Sequence, residues 1–112
     1  MNNSDGISVL ICSHNGGKLI GETLRHLAQQ EFTQPIAWEV VLVDNASTDD
    51  LTSVARTNWK IGIPLKIVSE SRKGTAYARI TGIQNCSYEY ISFIDDANWV
   101  PKNWVESASF RF

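Results

Sequence analysis

Residues 90–100 read YISFIDDANWV: an apolar run, Tyr90, Ile91, Phe93 and Ile94, that stops at two carboxylates, Asp95 and Asp96. Ala97, Asn98 and Trp99 follow, and Pro101 blocks further extension of a strand. A buried strand that delivers acids at its carboxyl end is a common way for an α/β protein to build a site, because side chains there face the crevice beyond the sheet. The same residues also suit a plain turn, since Asp and Asn are turn formers. The rest of the chain decides between the two readings.

Upstream, short apolar runs alternate with helical patterns. Residues 7–12 (ISVLIC) and 38–43 (WEVVLV) read as strands buried on both faces, and residues 64–69 (PLKIVS) as a shorter strand nearer an edge, where proline is tolerated. Residues 18–30 predict a helix with Leu19, Ile20, Leu24, Leu27 and Ala28 on one stripe. Ser47, Thr48 and Asp49 are N-cap candidates for a second helix that runs to about residue 59. A third is predicted over residues 75–86, with Ala76, Ile80 and Ile83 spaced for burial, and a short fourth over residues 101–109. This alternation predicts an α/β fold: a doubly wound, mainly parallel sheet in the order 3-2-1-4 with helices on both faces. The ligand crevice then falls between the first and fourth strands, at their carboxyl ends. The residues due at that rim are His14 and Asn15, Asp44 and Asn45, and Asp95 and Asp96. Their convergence favours a site over a turn.

The chain has 112 residues, which predicts one domain with a single core. A net charge of −2 gives no electrostatic basis for binding nucleic acid. No apolar run approaches the length needed to span a bilayer. The polar start MNNSDG lacks a secretory pattern, and Cys12 and Cys86 lie in apolar segments, so a cytoplasmic protein with reduced core thiols is expected.

The rim narrows the chemistry. The segment SHNGGK after the first strand matches neither the dinucleotide fingerprint nor the P-loop. His14 and His26 stand apart, without the spacing of structural zinc, and no serine or cysteine has a nearby base. What remains is an acid-lined crevice with a basic loop, Arg72-Lys73-Gly74, and Arg79 shortly after it. Acids with bases suit a phosphorylated ligand held through a divalent metal.

Four ordered segments carry a resemblance: ISVLICSHNGG, VVLVDNASTDD, SRKGTAYARITGI and YISFIDDANWVP. Together they resemble the N-terminal, nucleotide-sugar-binding half of family 2 glycosyltransferases with the GT-A, Rossmann-like fold. The resemblance implies that Asp44 hydrogen-bonds the nucleobase, usually uracil, and that His14 and Asn15 line the base and ribose pocket. It places Gly74, Ala78 and Arg79 beside the nucleotide or its diphosphate. Asp95 becomes the first acid of a D-x-D motif, near the ribose or the metal. The implied reaction transfers a sugar from a nucleotide diphosphate sugar, a UDP-sugar by the family's habit, to an acceptor hydroxyl, with Mg²⁺ or Mn²⁺ stabilising the departing diphosphate. The acceptor is not named by the resemblance.

Two departures stand out. The usual metal ligand is the last acid of the D-x-D, and here that position is Ala97. A strand's period of two puts Asp95 and Ala97 on one face and Asp96 on the other, so the expectation is weak metal binding by Asp95 or Asp96, helped by Asn98 or water. The chain also reads as a truncated member, without the half that carries the catalytic base; Asp5, Glu22 and Glu106 match no motif for that role. Trp99, Trp104, Phe110 and Phe112 crowd its end, which predicts self-association there. A non-catalytic nucleotide-binding or interaction domain that has lost its metal-ligating acid is the alternative. A receiver or flavodoxin-like domain is disfavoured, because a receiver's acids cluster after the first strand.

Overall fold

The computed structural model describes residues 5–109. Its elements follow in strict alternation: β1 (Ile7–Ser13), α1 (Ile20–Leu27), β2 (Trp38–Asn45), α2 (Leu51–Asn58), β3 (Leu65–Glu70), α3 (Thr75–Gln84), β4 (Tyr90–Ile94) and α4 (Trp104–Ser109). The four strands form one sheet in the order β3-β2-β1-β4, and every pairing is parallel. The predicted fold class and strand order are those observed.

Side-chain alternation divides the core into two layers. Ile7, Val9, Ile11, Val40 and Leu42 pack with Ile20, Leu24, Leu27, Leu51 and Ala55, beneath α1 and α2. Leu10, Val41 and Val43 face the other way and meet Ala78 of α3. β1 and β2 are buried on both faces, which explains why they read as unbroken apolar runs.

The helices differ from expectation in detail. α1 starts at Ile20 rather than residue 18, and Leu19 is 46% exposed rather than part of the buried stripe. On α3 the buried residues are Ala78 and Gly82, whereas Ile80 and Ile83 are about half exposed and Ala76 is exposed. The cause is close approach: a Cβ on Gly82 would meet Leu10 Cδ2 at 2.9 Å and Val43 Cγ2 at 3.0 Å. A helix this near the sheet presents its small residues inward, and its isoleucines turn away. Asp50, not Ser47, Thr48 or Asp49, occupies the N-cap of α2; Asp49 instead accepts the Leu51 N–H at 3.1 Å.

A buried polar cluster closes the end of the sheet remote from the predicted crevice. Glu39 accepts from Ser8 Oγ at 2.6 Å and Ser87 N–H at 2.6 Å, and pairs with Lys66 at 3.0 Å. Burial alone would push the Glu39 carboxyl up, but those three donors outweigh it and hold it below its ordinary range. Glu106, one of the acids without a motif, holds the loop before β2: Oε2 accepts from Thr33 N–H at 2.6 Å and Thr33 Oγ1 at 2.9 Å. Of the aromatic residues near the end, Trp104 packs against the core and Trp99 is 58% exposed, stacked on His26. Phe110 and Phe112 lie outside the described residues.

Candidate functional site

Strand register brings the rim together. Ser13 lies opposite Asp44, and Ile11 opposite Ile94, so the carboxyl ends of β2 and β4 flank that of β1. Two strand spacings put those ends roughly 10 Å apart. A cavity of about 340 Å³ opens here, with the first turns of α3 as one wall. That volume falls within the range of small-molecule clefts. Its floor is apolar (Leu10, Cys12, Ala78, Phe93), and its polar lining residues are Ser13, His14, Asn45, Thr75, Arg79, Asp95 and Asn98. Burial pushes the Cys12 thiol up, despite the nearby Arg79 charge, so it stays protonated.

Of the residues singled out in the sequence, His14, Asn45, Ala78, Arg79, Asp95 and Asn98 line this cavity. The two charged ones are uncommitted. Arg79 lies over the Phe93 ring, 5.5 Å from its centroid, and pairs with no carboxylate among the described residues. The Asp95 carboxylate has no hydrogen-bond donor among them either; only its backbone carbonyl is engaged, by Asn98 N–H at 3.3 Å. One cavity wall thus offers an open cation and another an open anion.

The remaining predicted residues surround the cavity without lining it. The Asp44 carboxylate is half-buried and accepts from Ser47 N–H at 3.1 Å and Thr52 Oγ1 at 3.3 Å, leaving a lone pair on each oxygen. Asn15 takes the left-handed conformation, φ 56°, which asparagine tolerates. Its Oδ1 accepts from Thr48 N–H at 2.7 Å, and its own N–H donates to Ser47 Oγ at 2.9 Å. These bonds join the loops after β1 and β2. His14 adds a third link, with Nδ1 2.7 Å from the Asn45 carbonyl. A carbonyl only accepts, so Nδ1 carries the hydrogen, and Nε2 is the acceptor for Asn15 Nδ2 at 3.3 Å.

Asp96 points away from the cavity. Its Oδ2 accepts from Ser13 Oγ at 2.5 Å, and its carbonyl accepts from Thr23 Oγ1 at 2.6 Å. Gly16 packs so closely on Ser13 Oγ and the Asp96 carboxylate that no Cβ fits there. Asp95 thus faces the cavity and Asp96 the neighbouring loop, but β4 ends at Ile94 and the chain turns at once, so Asn98, not Ala97, joins Asp95 on the cavity wall. Among the described residues no group of three His, Cys, Asp or Glu side chains could hold a metal ion unaided.

The basic loop is also split. Arg72 is neutralised by Glu70, with Nη2 2.9 Å from Oε1 and Nε 3.1 Å from Oε2, and it stacks 4.5 Å over Tyr77. Those Arg72 bonds, with a further one from Thr81 Oγ1, hold the Glu70 carboxyl at about 2. Gly74 has φ 134°, a conformation that favours glycine, and its N–H donates to Asn45 Oδ1 at 3.1 Å. Sequence reading places Asn45 on the rim but gives it no role. Its partners lie 25 to 29 positions away, a spacing with no sequence signature. Ser13, likewise unremarked, is identifiable only through its contact with Asp96.

Fold and cavity together define a doubly wound α/β domain with an open crevice at its topological switch point. Sequence comparison is more specific: the profile of Glycosyl transferase family 2 matches residues 8–109, and the chain belongs to that family. The glycosyltransferase GlyG of Streptococcus pneumoniae serotype 4 is 30% identical over 105 residues, covering 93% of this chain and 34% of GlyG. The crystal structure of Staphylococcus aureus TarS in complex with UDP-GlcNAc superposes with a TM-score of 0.82 at 26% identity, covering 94% of this chain and 30% of that one. The mannosyltransferase PcManGT from Pyrobaculum calidifontis, in complex with GDP-Man and Mn²⁺, gives a TM-score of 0.73 at 30% identity, covering 83% and 28%. The chain spans about a third of the length of these relatives. No helix among the described residues is long and apolar enough to cross a membrane.

Proposed function

We propose that this chain is the donor-binding part of a glycosyltransferase and holds a nucleotide diphosphate sugar in the cavity between β1 and β4. One observation carries the reading: Arg79 and Asp95 present opposite charges, unpaired among the described residues, to the same cavity in a family 2 chain. Arg79 takes a diphosphate oxygen, beside the N-terminal turn of α3 with its backbone N–H groups. Gly74 and Ala78 offer no bulk against the phosphates. His14, Asn15 and Asp44 form the base and ribose side, where the free lone pairs of Asp44 can accept from a base N–H. Solved structures of comparable similarity hold UDP-GlcNAc and GDP-Man, so both bases belong in the test, UDP first.

The residues present fit a hard divalent cation only as a partial set: Asp95, with Asn98 beside it, and Asp96 less directly, since Ser13 occupies one of its oxygens. Mg²⁺ and Mn²⁺ commonly bind through one or two carboxylates plus substrate phosphates. Bound here, the ion would neutralise charge on the departing diphosphate. The acceptor and the catalytic base belong to the part of the relatives' length that this chain does not span.

Calorimetric titration of UDP and GDP, with and without Mn²⁺, tests the reading. Nucleoside diphosphate binding that strengthens with Mn²⁺ is expected, and Ala97→Asp should strengthen the metal dependence further. Binding without any metal dependence would favour the alternative, a nucleotide-binding domain that has lost its metal-ligating acid. No binding of either nucleotide would end both.

A further inference from the structure

Asn45 is 6% exposed, lies on the cavity wall, and meets two separate segments with two different groups. Its backbone carbonyl accepts the His14 Nδ1–H, fixing the loop after β1. Its side-chain amide donates to the Glu70 carbonyl at 3.1 Å and to the Arg72 carbonyl at 2.7 Å, while Oδ1 accepts the Gly74 N–H at 3.1 Å. Both amide hydrogens and one carbonyl lone pair are therefore engaged by the link between β3 and α3. That link has few other anchors facing the cavity: Arg72 leans outward on Glu70 and Tyr77, and Gly74 adopts a φ of 134°. The body of α3 is seated by Ala78 and Gly82 on Leu10 and Val43, and Gly74, its N-cap residue, is the one bonded to Asn45. Arg79 follows about one turn into that helix.

Resting on the donor-binding reading above, we propose that Asn45 is a positioning residue for the diphosphate. Its amide sets the start of α3 and so the direction in which Arg79 enters the cavity. The order of donors and acceptor is what matters. An aspartate of the same shape cannot donate to the Glu70 and Arg72 carbonyls, and it turns a carboxylate oxygen toward both. The Asn45 backbone carbonyl, and with it the His14 contact on the base side, does not depend on the side chain.

The test compares the nucleoside monophosphate with the diphosphate, using whichever of UMP and UDP or GMP and GDP the wild-type chain binds. Asn45→Asp should lower affinity for the diphosphate by about tenfold, as expected for a lost positioning interaction to a charged group, and leave the monophosphate within about twofold. In an Arg79→Met background the same substitution should have little further effect, because the residue acts through that guanidinium. Should Asn45→Asp not fold, Asn45→Ala removes the same three bonds to the link without adding a charge. The same diphosphate-selective loss is expected of it. Parallel loss of both ligands, or an undiminished effect without Arg79, would overturn the assignment and leave donor binding standing. A wild-type chain that binds none of the four nucleotides would overturn both.

Discussion

Ala46 holds a φ of 56°, in the region that glycine and asparagine occupy at little cost and alanine does not. It follows Asn45 directly and allows the chain to turn so that Ser47 and Thr48 meet Asn15. Ala46→Gly should relieve this strain and raise stability by about 0.5–1 kcal/mol, less whatever entropy the glycine adds to the unfolded chain. Urea denaturation measures the change, and a loss of stability would show that the methyl group packs better than its backbone angle suggests. At this scale the sequence shows which residue types reach the rim, but not what each one does there. Asp44 and Asp95 look alike as strand-ending acids, yet one is bonded to its own turn and the other is open to the cavity. The difference arises from hydrogen bonds to Ser47 and Thr52 that form only once the turn has its shape.

Among the elements, α3 carries the most consequence, because it supplies a cavity wall and seats itself through an absent side chain. Gly82→Ala would push a methyl group into Leu10 and Val43, forcing the helix off the sheet at a cost of about 1–3 kcal/mol. Weaker diphosphate binding should accompany the loss in urea stability, since Arg79 moves with the helix. The same helix is tied to β3 by Glu70, through Arg72 and Thr81. The folded-state pKa of Glu70 is depressed to about 2, well below the ordinary carboxylate range, chiefly by its Arg72 hydrogen bonds. Its contribution is therefore complete above the unfolded value and disappears as pH falls from there toward 2. Denaturation midpoints measured down that range should fall less steeply for Glu70→Gln than for the wild type. The helical face of α3 was not legible from spacing, because Ile80 and Ile83 outweigh Ala78 and Gly82 on any hydrophobic scale. Close packing reverses that ranking, and nothing local to the helix announces how near the sheet will be.

For the molecule as a whole, strand order was legible because β1 and β2 read as doubly buried runs and β3 begins after a proline, which leaves few topologies. The two borders of the sheet are nevertheless unlike. β3 carries Lys66 and Glu70, whereas β4 has no charged residue, exposes 48% of Phe93, and lies beside a second cavity of about 530 Å³ lined in part by Ile91 and Trp104. An uncharged outer strand is a template for further pairing. We predict that this chain self-associates as concentration rises, and that Ser92→Lys lowers the apparent mass in light scattering. A wild type that stays monomeric at high concentration would contradict this. Anyone borrowing these 112 residues as a compact α/β scaffold would first have to roof that border, with an added strand or a lysine. Left bare, it would set the limit on working concentration before the ligand site did.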